Sequence, residues 1–139
     1  MKRNISFPVL WMMLFISFFS NCKTDSNYDP DPSDARSRFV GQWSVTEVKK
    51  KLSYEVSITQ DTQTSDGVLI YNFGGFGSSV AARAIVSGSK ITLIANQEIV
   101  PGVTIDGSGT LSENTKIHWS YDINDGATLI SVTAIYTKS

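Results

Sequence analysis

The stretch Val103-Thr104-Ile105-Asp106-Gly107-Ser108-Gly109-Thr110-Leu111-Ser112 sets an apolar or small residue at every second position and a polar one between. Successive side chains of a strand point to opposite faces, so this period of two makes one face for a core and one for water. Ile117, Trp119, Tyr121 and Ile123 alternate in the same way with His118, Ser120 and Asp122, and Asn124-Asp125-Gly126 then supplies residues favoured in a tight hairpin turn. A further strand is expected from Ala127 to Lys138, with Ile130, Val132, Ala134 and Tyr136 facing inward. No window shows a comparable helical repeat of about 3.6 residues.

Upstream, the same reading gives strands over Phe39 to Val48, Ser53 to Thr62, Val68 to Phe73, Ser79 to Ser87 and Lys90 to Asn96. The breaks fall at Lys49-Lys50-Lys51, Ser65-Asp66-Gly67, Gly74-Gly75 and Ser87-Gly88-Ser89. Richness in Ile, Val and Thr over Leu and Ala agrees with sheet. Loops this short pair neighbours as antiparallel hairpins, because a parallel crossover needs about a dozen residues or more. The expected fold class is therefore all-β, a small eight-stranded antiparallel up-and-down barrel, which removes its edges by closing on itself. A two-sheet β-sandwich built from the same hairpins is the alternative that periodicity also allows.

The rest of the chain is an address. In its 139 residues and 15.2 kDa there is room for one ordinary domain. Lys2 and Arg3, the apolar run from Ile5 to Phe19, and Ser20-Asn21-Cys22 form a tripartite export leader over residues 1–21. The run is shorter than the roughly 20 apolar residues of a membrane span and contains Pro8. Residues 22–38, rich in Asp, Ser and Pro, read as a flexible tether, and 39–139 as the folded domain. With 12 Lys and Arg against 13 Asp and Glu, no excess of charge favours nucleic acid as a partner. A single Cys and a single His leave no internal disulfide and none of the usual zinc sets, and no cofactor is expected.

Cys22 stands where a bacterial lipoprotein carries its acylated thiol, and Ser20-Asn21-Cys22 resembles a lipobox, with Phe19 and Asn21 as departures from the usual residues. The resemblance implies lipidation at Cys22, palmitate-type chains, and a membrane as partner through them, because each buried CH₂ contributes about 0.8 kcal/mol. Lys23 and Asp25 are similar to the signal that sends lipoproteins of Bacteroidota to the outer cell surface, which implies an outer-membrane or cell-surface location. Gly41-Gln42-Trp43 resembles the opening motif of lipocalins, in which the Trp packs across the closed end of the barrel. A Thr-Asp-Tyr turn and a late Arg are missing from that pattern. The whole layout from Gly41 to Lys138 is similar to short lipocalin-like lipoproteins of Bacteroidota.

No reacting constellation emerges. His118, Ser120 and Asp122 share one face of a strand, where alternate side chains stand roughly 7 Å apart and project in parallel, so none orients the next. No catalytic residue and no metal ligand is assigned, and the chain is not expected to be an enzyme. Phe73-Gly74-Gly75-Phe76-Gly77 reads as a flexible hairpin that caps the barrel mouth or acts as its lid, and the three lysines as a solvated turn. The candidate ligand-cavity or core residues are Trp43, Phe73, Phe76, Trp119, Tyr121 and Tyr136. Two functions follow: a module taking up a small apolar or amphipathic ligand, or a non-catalytic surface or adhesion domain with a filled core.

Overall fold

The computed structural model describes residues 33–139; the leader, Cys22 and the first part of the tether lie outside the described residues. Nine strands follow one another: β1 Gly41–Glu47, β2 Ser53–Gln60, β3 Gly67–Tyr71, β4 Ala81–Ser87, β5 Lys90–Leu93, β6 Gln97–Val100, β7 Val103–Ser112, β8 Lys116–Asn124 and β9 Leu129–Lys138. All pairings are antiparallel, in the order β5-β4-β3-β2-β1-β9-β8-β7-β6, and β5 also pairs with β7. That last pairing closes the sheet into a barrel, as the short hairpins required.

The barrel has eight staves because β5 and β6 share one. Lys90 to Thr92 lie opposite Ser108 to Thr110 of β7, and Gln97 to Val100 lie opposite Val103 to Ile105 of the same strand. The expected strand Lys90 to Asn96 is thus broken after Leu93, and Asn96 takes the left-handed conformation with φ 55°. The Gln97 side chain spans the gap: its Oε1 accepts from Arg83 N at 2.8 Å, and its Nε2 donates to Arg83 O at 2.7 Å and Ile94 O at 3.0 Å. An amide side chain has the donor and acceptor of a peptide group, so it satisfies β4 where the ladder is interrupted.

Alternation places Trp43, Val45, Val56, Ile58, Ile70, Ile91, Ile105, Ile117, Trp119 and Tyr136 inside. The two inward glycines of β7 make room for the rings. Gly109 lies opposite Trp119, and a Cβ there would stand 2.9 Å from Trp119 Cδ2. Gly107, at φ 150° and opposite Tyr121, leaves no space for a Cβ against the backbone of Ser120 and Tyr121. Small against large is here interdigitation within one packed interior.

One end is shut by residues that the sequence reading left in the tether or counted otherwise. Ser33 to Arg38 are not free chain: Asp34 caps a short 3-10 turn, Ala35–Arg38, and the Arg36 side chain runs beneath the barrel. Its Nη1 donates to the carbonyls of Asp61 (3.2 Å), Thr64 (2.9 Å) and Gly67 (3.2 Å), fastening the β2–β3 loop. Nε and Nη2 grip the Asp34 carboxylate, at 2.9 and 2.6 Å from Oδ2. Phe39, expected in the first strand, instead closes the turn, is fully buried, and its carbonyl accepts from Trp43 Nε1 at 2.7 Å. Gly41, at φ 133°, then bends the chain into β1. Lys138 closes the same end, its Nζ lying 5.2 Å from the centre of the Trp43 ring and donating to Arg38 O at 3.1 Å. Ile130, expected inside, is 39% exposed, because it stands at the rim of the other end, past the last full layer of the core.

Replacing Arg36 with Ala removes the guanidinium donors from the Asp61, Thr64 and Gly67 carbonyls and the Asp34 side chain, although Gly67 O keeps Asp61 N and Asp34 keeps the Arg36 backbone N–H. The expected loss is about 3 kcal/mol in urea unfolding, with the β-sheet circular dichroism of the native state retained; an unchanged midpoint would show that the turn adds nothing to the domain.

Candidate functional site

The opposite end, where β1 finishes and β2 begins, is built differently. Trp43, Val45 and Glu47 occupy alternate inward positions of β1, so the same parity that buries a Trp and a Val buries a carboxylate. Glu47 is 3% exposed. Its Oε1 accepts from Tyr54 OH at 3.1 Å and from Tyr121 OH at 3.5 Å. Its Oε2 has no partner, and the same holds for two further buried polar atoms, Trp119 Nε1 and Tyr136 OH. The ion pair of the described domain, Arg36 with Asp34, lies at the other end, and no described Lys or Arg pairs with Glu47. A carboxylate inside a protein is costly without compensation.

Aromatic rings enclose this carboxylate. The Phe73 ring centre lies 4.6 Å from that of Tyr121 and 5.4 Å from that of Trp119, edge to face with the latter. Trp119 in turn lies 5.6 Å from Tyr136. Such offset and T-shaped pairs contribute about 0.5–1.5 kcal/mol each beyond their area. Phe73 comes from the β3–β4 connection and enters the barrel from above as a plug, with no exposed surface. Around it Asn72, Gly74, Gly75 and Gly77 all have positive φ (64°, 64°, 77° and 121°), which is why this sequence makes a tight loop. Phe76 packs half-buried on the rim, and Gly75 sits over the Tyr54 ring. The base of the loop is tied by Asn72, whose Nδ2 donates to Glu55 O and whose Oδ1 accepts from Gly77 N, both at 2.8 Å.

Of the six residues singled out in the sequence, Phe73, Trp119, Tyr121 and Tyr136 come together here and Phe76 covers them. Trp43 does not join them; it belongs to the closed end. Glu47 and Tyr54 escaped the sequence reading, although the Trp43-Val45-Glu47 alternation carried the signal for the first. His118 and Ser120 are exposed on the outer face of β8, and Asp122 accepts from the Ser131 hydroxyl at 2.6 Å. Asp125 caps the β8–β9 hairpin, accepting from Ala127 N at 2.9 Å and Thr128 N at 2.7 Å. Among the described residues no group of three or more His, Cys, Asp and Glu is placed to hold a metal ion.

The clefts on the surface lie outside the ring cluster. A cleft of about 480 Å3 at the closed end is lined by Arg36, Val40, Thr59 and Gln60 at the end of β2, and Asp61, Thr62 and Thr64 of the β2–β3 loop. A small one of about 60 Å3, lined by Glu47, Lys49, Lys50 and residues 130–133, opens beside the buried carboxylate. Val48, Leu52 and Leu129 add exposed apolar side chains to that rim.

No family model matches the chain, and no curated protein is similar to it in sequence. Among solved structures, one described as "Structure of EF1p2_mFAP2b bound to DFHBI" is similar over 76% of this chain and 98% of that one, at 12% identity and a TM-score of 0.48.

Burial raises all three phenols above their ordinary range. Tyr121 is pushed up to about 12, first by burial, against the neighbouring Tyr54 hydroxyl that lowers it, and further by the charge of Glu47. Tyr54 is raised by burial and by the neighbouring phenols and Glu47, and Tyr136 by burial, then by Tyr121 and Glu47. A folded-state value above the unfolded one favours the protonated fold, so this stability is complete below the unfolded value of 10.0 and is lost as pH rises through the raised values. In an alkaline titration the tyrosinate absorbance of these three side chains should therefore appear together with loss of the sheet signal. Their ionisation near pH 10 with the sheet intact would contradict the burial.

Proposed function

We propose that this chain is a lipid-anchored envelope protein whose barrel binds a small amphipathic molecule at the Glu47 end and performs no catalysis. The observation that carries the reading is the set of buried polar atoms without partners, Glu47 Oε2, Trp119 Nε1 and Tyr136 OH, within aromatic walls and beneath a glycine-rich loop. Buried polar groups are paired in nearly all native interiors, and unpaired ones in an apolar wall have the composition of a binding site. The anchoring reading is supported by the leader and by Cys22, the sole thiol, followed by Lys23 and Asp25. It is supported also by polarity of layout: the chain enters the barrel at the closed end, beneath Trp43, so a tether from Cys22 leaves the Glu47 end turned away from the lipid. On this reading the location is the outer membrane or the cell surface. Absence of catalysis is supported by the outward, parallel placement of His118 and Ser120.

A second reading, a surface or adhesion domain with a filled core, is favoured by one observation. Phe73, Trp119, Tyr121 and Tyr136 are each at most 2% exposed and touch one another. The full chain, expressed with its leader in a bacterial host and extracted in mild detergent, separates the two. A co-purifying small molecule in the native mass spectrum is expected on the first reading; a clean protein mass at all detergent concentrations supports the second. In the same host, Cys22→Ala should abolish fatty-acid labelling and leave the protein out of the membrane fraction, and labelling that persists would overturn the anchor.

A further inference from the structure

The buried carboxylate also indicates what kind of molecule the barrel would take, an inference that rests on reading the barrel as a binding module. Glu47 receives two phenol hydrogen bonds on one oxygen and nothing on the other. Phenols donate hydrogen bonds but carry no positive charge, and no described Lys or Arg forms an ion pair with Glu47, although Lys49 and Lys50 line the small cleft beside it. The groups nearest it are Tyr54 and Tyr121, and behind these stand Trp119, Tyr136 and Phe73. The faces of such rings are electron-rich and attract cations, the more so when water is excluded. A carboxylate and a wall of aromatic faces therefore favour the same sign of charge. They disfavour an anion twice over, and a neutral apolar group leaves Glu47 uncompensated. Trp119 Nε1 adds a demand of its own, since an indole N–H is a donor and requires an acceptor.

We propose that the barrel binds a compact organic cation, an ammonium group carried by a small molecule with a nearby oxygen. Glu47 Oε2 would hold the charge beside the Tyr121 and Trp119 rings that Phe73 now packs against, and Trp119 Nε1 would donate to the oxygen. Entry is through the Phe73 loop. Withdrawal of the Phe73 ring frees a space of one aromatic side chain beside Tyr121 and Trp119, and the loop that must lift is one short turn held at its base by Asn72. A ring that leaves its place is exchanged for a cation over the remaining rings, so the aromatic wall serves both states.

The test uses the full-length chain in detergent, followed by Trp fluorescence and calorimetry. Choline and ethanolamine are compared with the uncharged tert-butyl isostere of choline and with trimethylacetate. Choline is expected to bind about tenfold or more tighter than its neutral isostere, and trimethylacetate not to bind. Glu47→Gln should remove that preference, bringing the affinities for choline and its isostere together, with the sheet signal retained. Should this variant fail to fold, the comparison of charged and uncharged ligands on the natural chain decides by itself. Equal affinity for choline and the isostere, or a cation preference that survives Glu47→Gln, would overturn the proposal. No binding of either cation, together with a neutral or anionic molecule in the native mass spectrum, overturns the cation and keeps the binding module. With no ligand by either method, both fall.

Discussion

The pairing of β5 with β7 is the constraint on which the molecule depends. It spans just Lys90 to Thr92 against Ser108 to Thr110, yet without it β5 and the second half of β7 are open edges. Closure also makes the interior finite. Eight staves enclose a column wide enough for side chains, so each ring admitted must be matched by a small residue opposite. Gly109 under Trp119 and Gly107 against Tyr121 are that match. The interrupted stave, with β5 and β6 joined across the gap by the Gln97 amide, lets the sheet both close low on β7 and continue high on it.

The two ends of the column solve opposite problems. At the closed end the polar groups named above have partners: buried Arg36 has its carboxylate and its carbonyls, buried Trp43 Nε1 has Phe39 O, and exposed Lys138 has both a ring and a carbonyl. At the other end the accounting is left open, with one carboxylate oxygen, one indole N–H and one phenol hydroxyl unpaired. Local departures from otherwise consistent satisfaction tend to mark function, because stability alone would remove them. The chain's direction then gives this asymmetry a meaning, since the segment linking the barrel to Cys22 joins at the satisfied end.

On the proposed reading, the Phe73 plug is what reconciles a filled core with a binding site. Phe73 is as buried as any core residue, but it is carried on a loop of left-handed residues instead of a strand. A strand residue is held by ladder hydrogen bonds on both sides; a loop residue is held by its packing and by the loop's own ties, here Asn72 to Glu55 O and Gly77 N. The aromatic contacts that fill the barrel are thus those that a ligand would replace.

By itself the sequence determined the strand succession, the antiparallel pairing and the all-β class, because period-two alternation and short turns are local properties. It also determined the inward placement of Trp43, Trp119, Tyr121 and Tyr136 by parity. It did not distinguish a packing ring from one that meets a charge: Glu47 stood on the inward face beside Trp43 and Val45 without its phenol partners being visible, since Tyr54 and Tyr121 come from other strands. Ile130 had the right parity and the wrong height, because alternation fixes a face but not the distance from the rim. Arg36 and Ser33 to Arg38 looked like solvated tether by composition, and only folding brought the Arg beneath the carbonyls of a loop some 30 residues away. Closure, the split stave and the separation of Trp43 from the other rings were likewise tertiary decisions, since each depends on contacts between segments far apart in the chain.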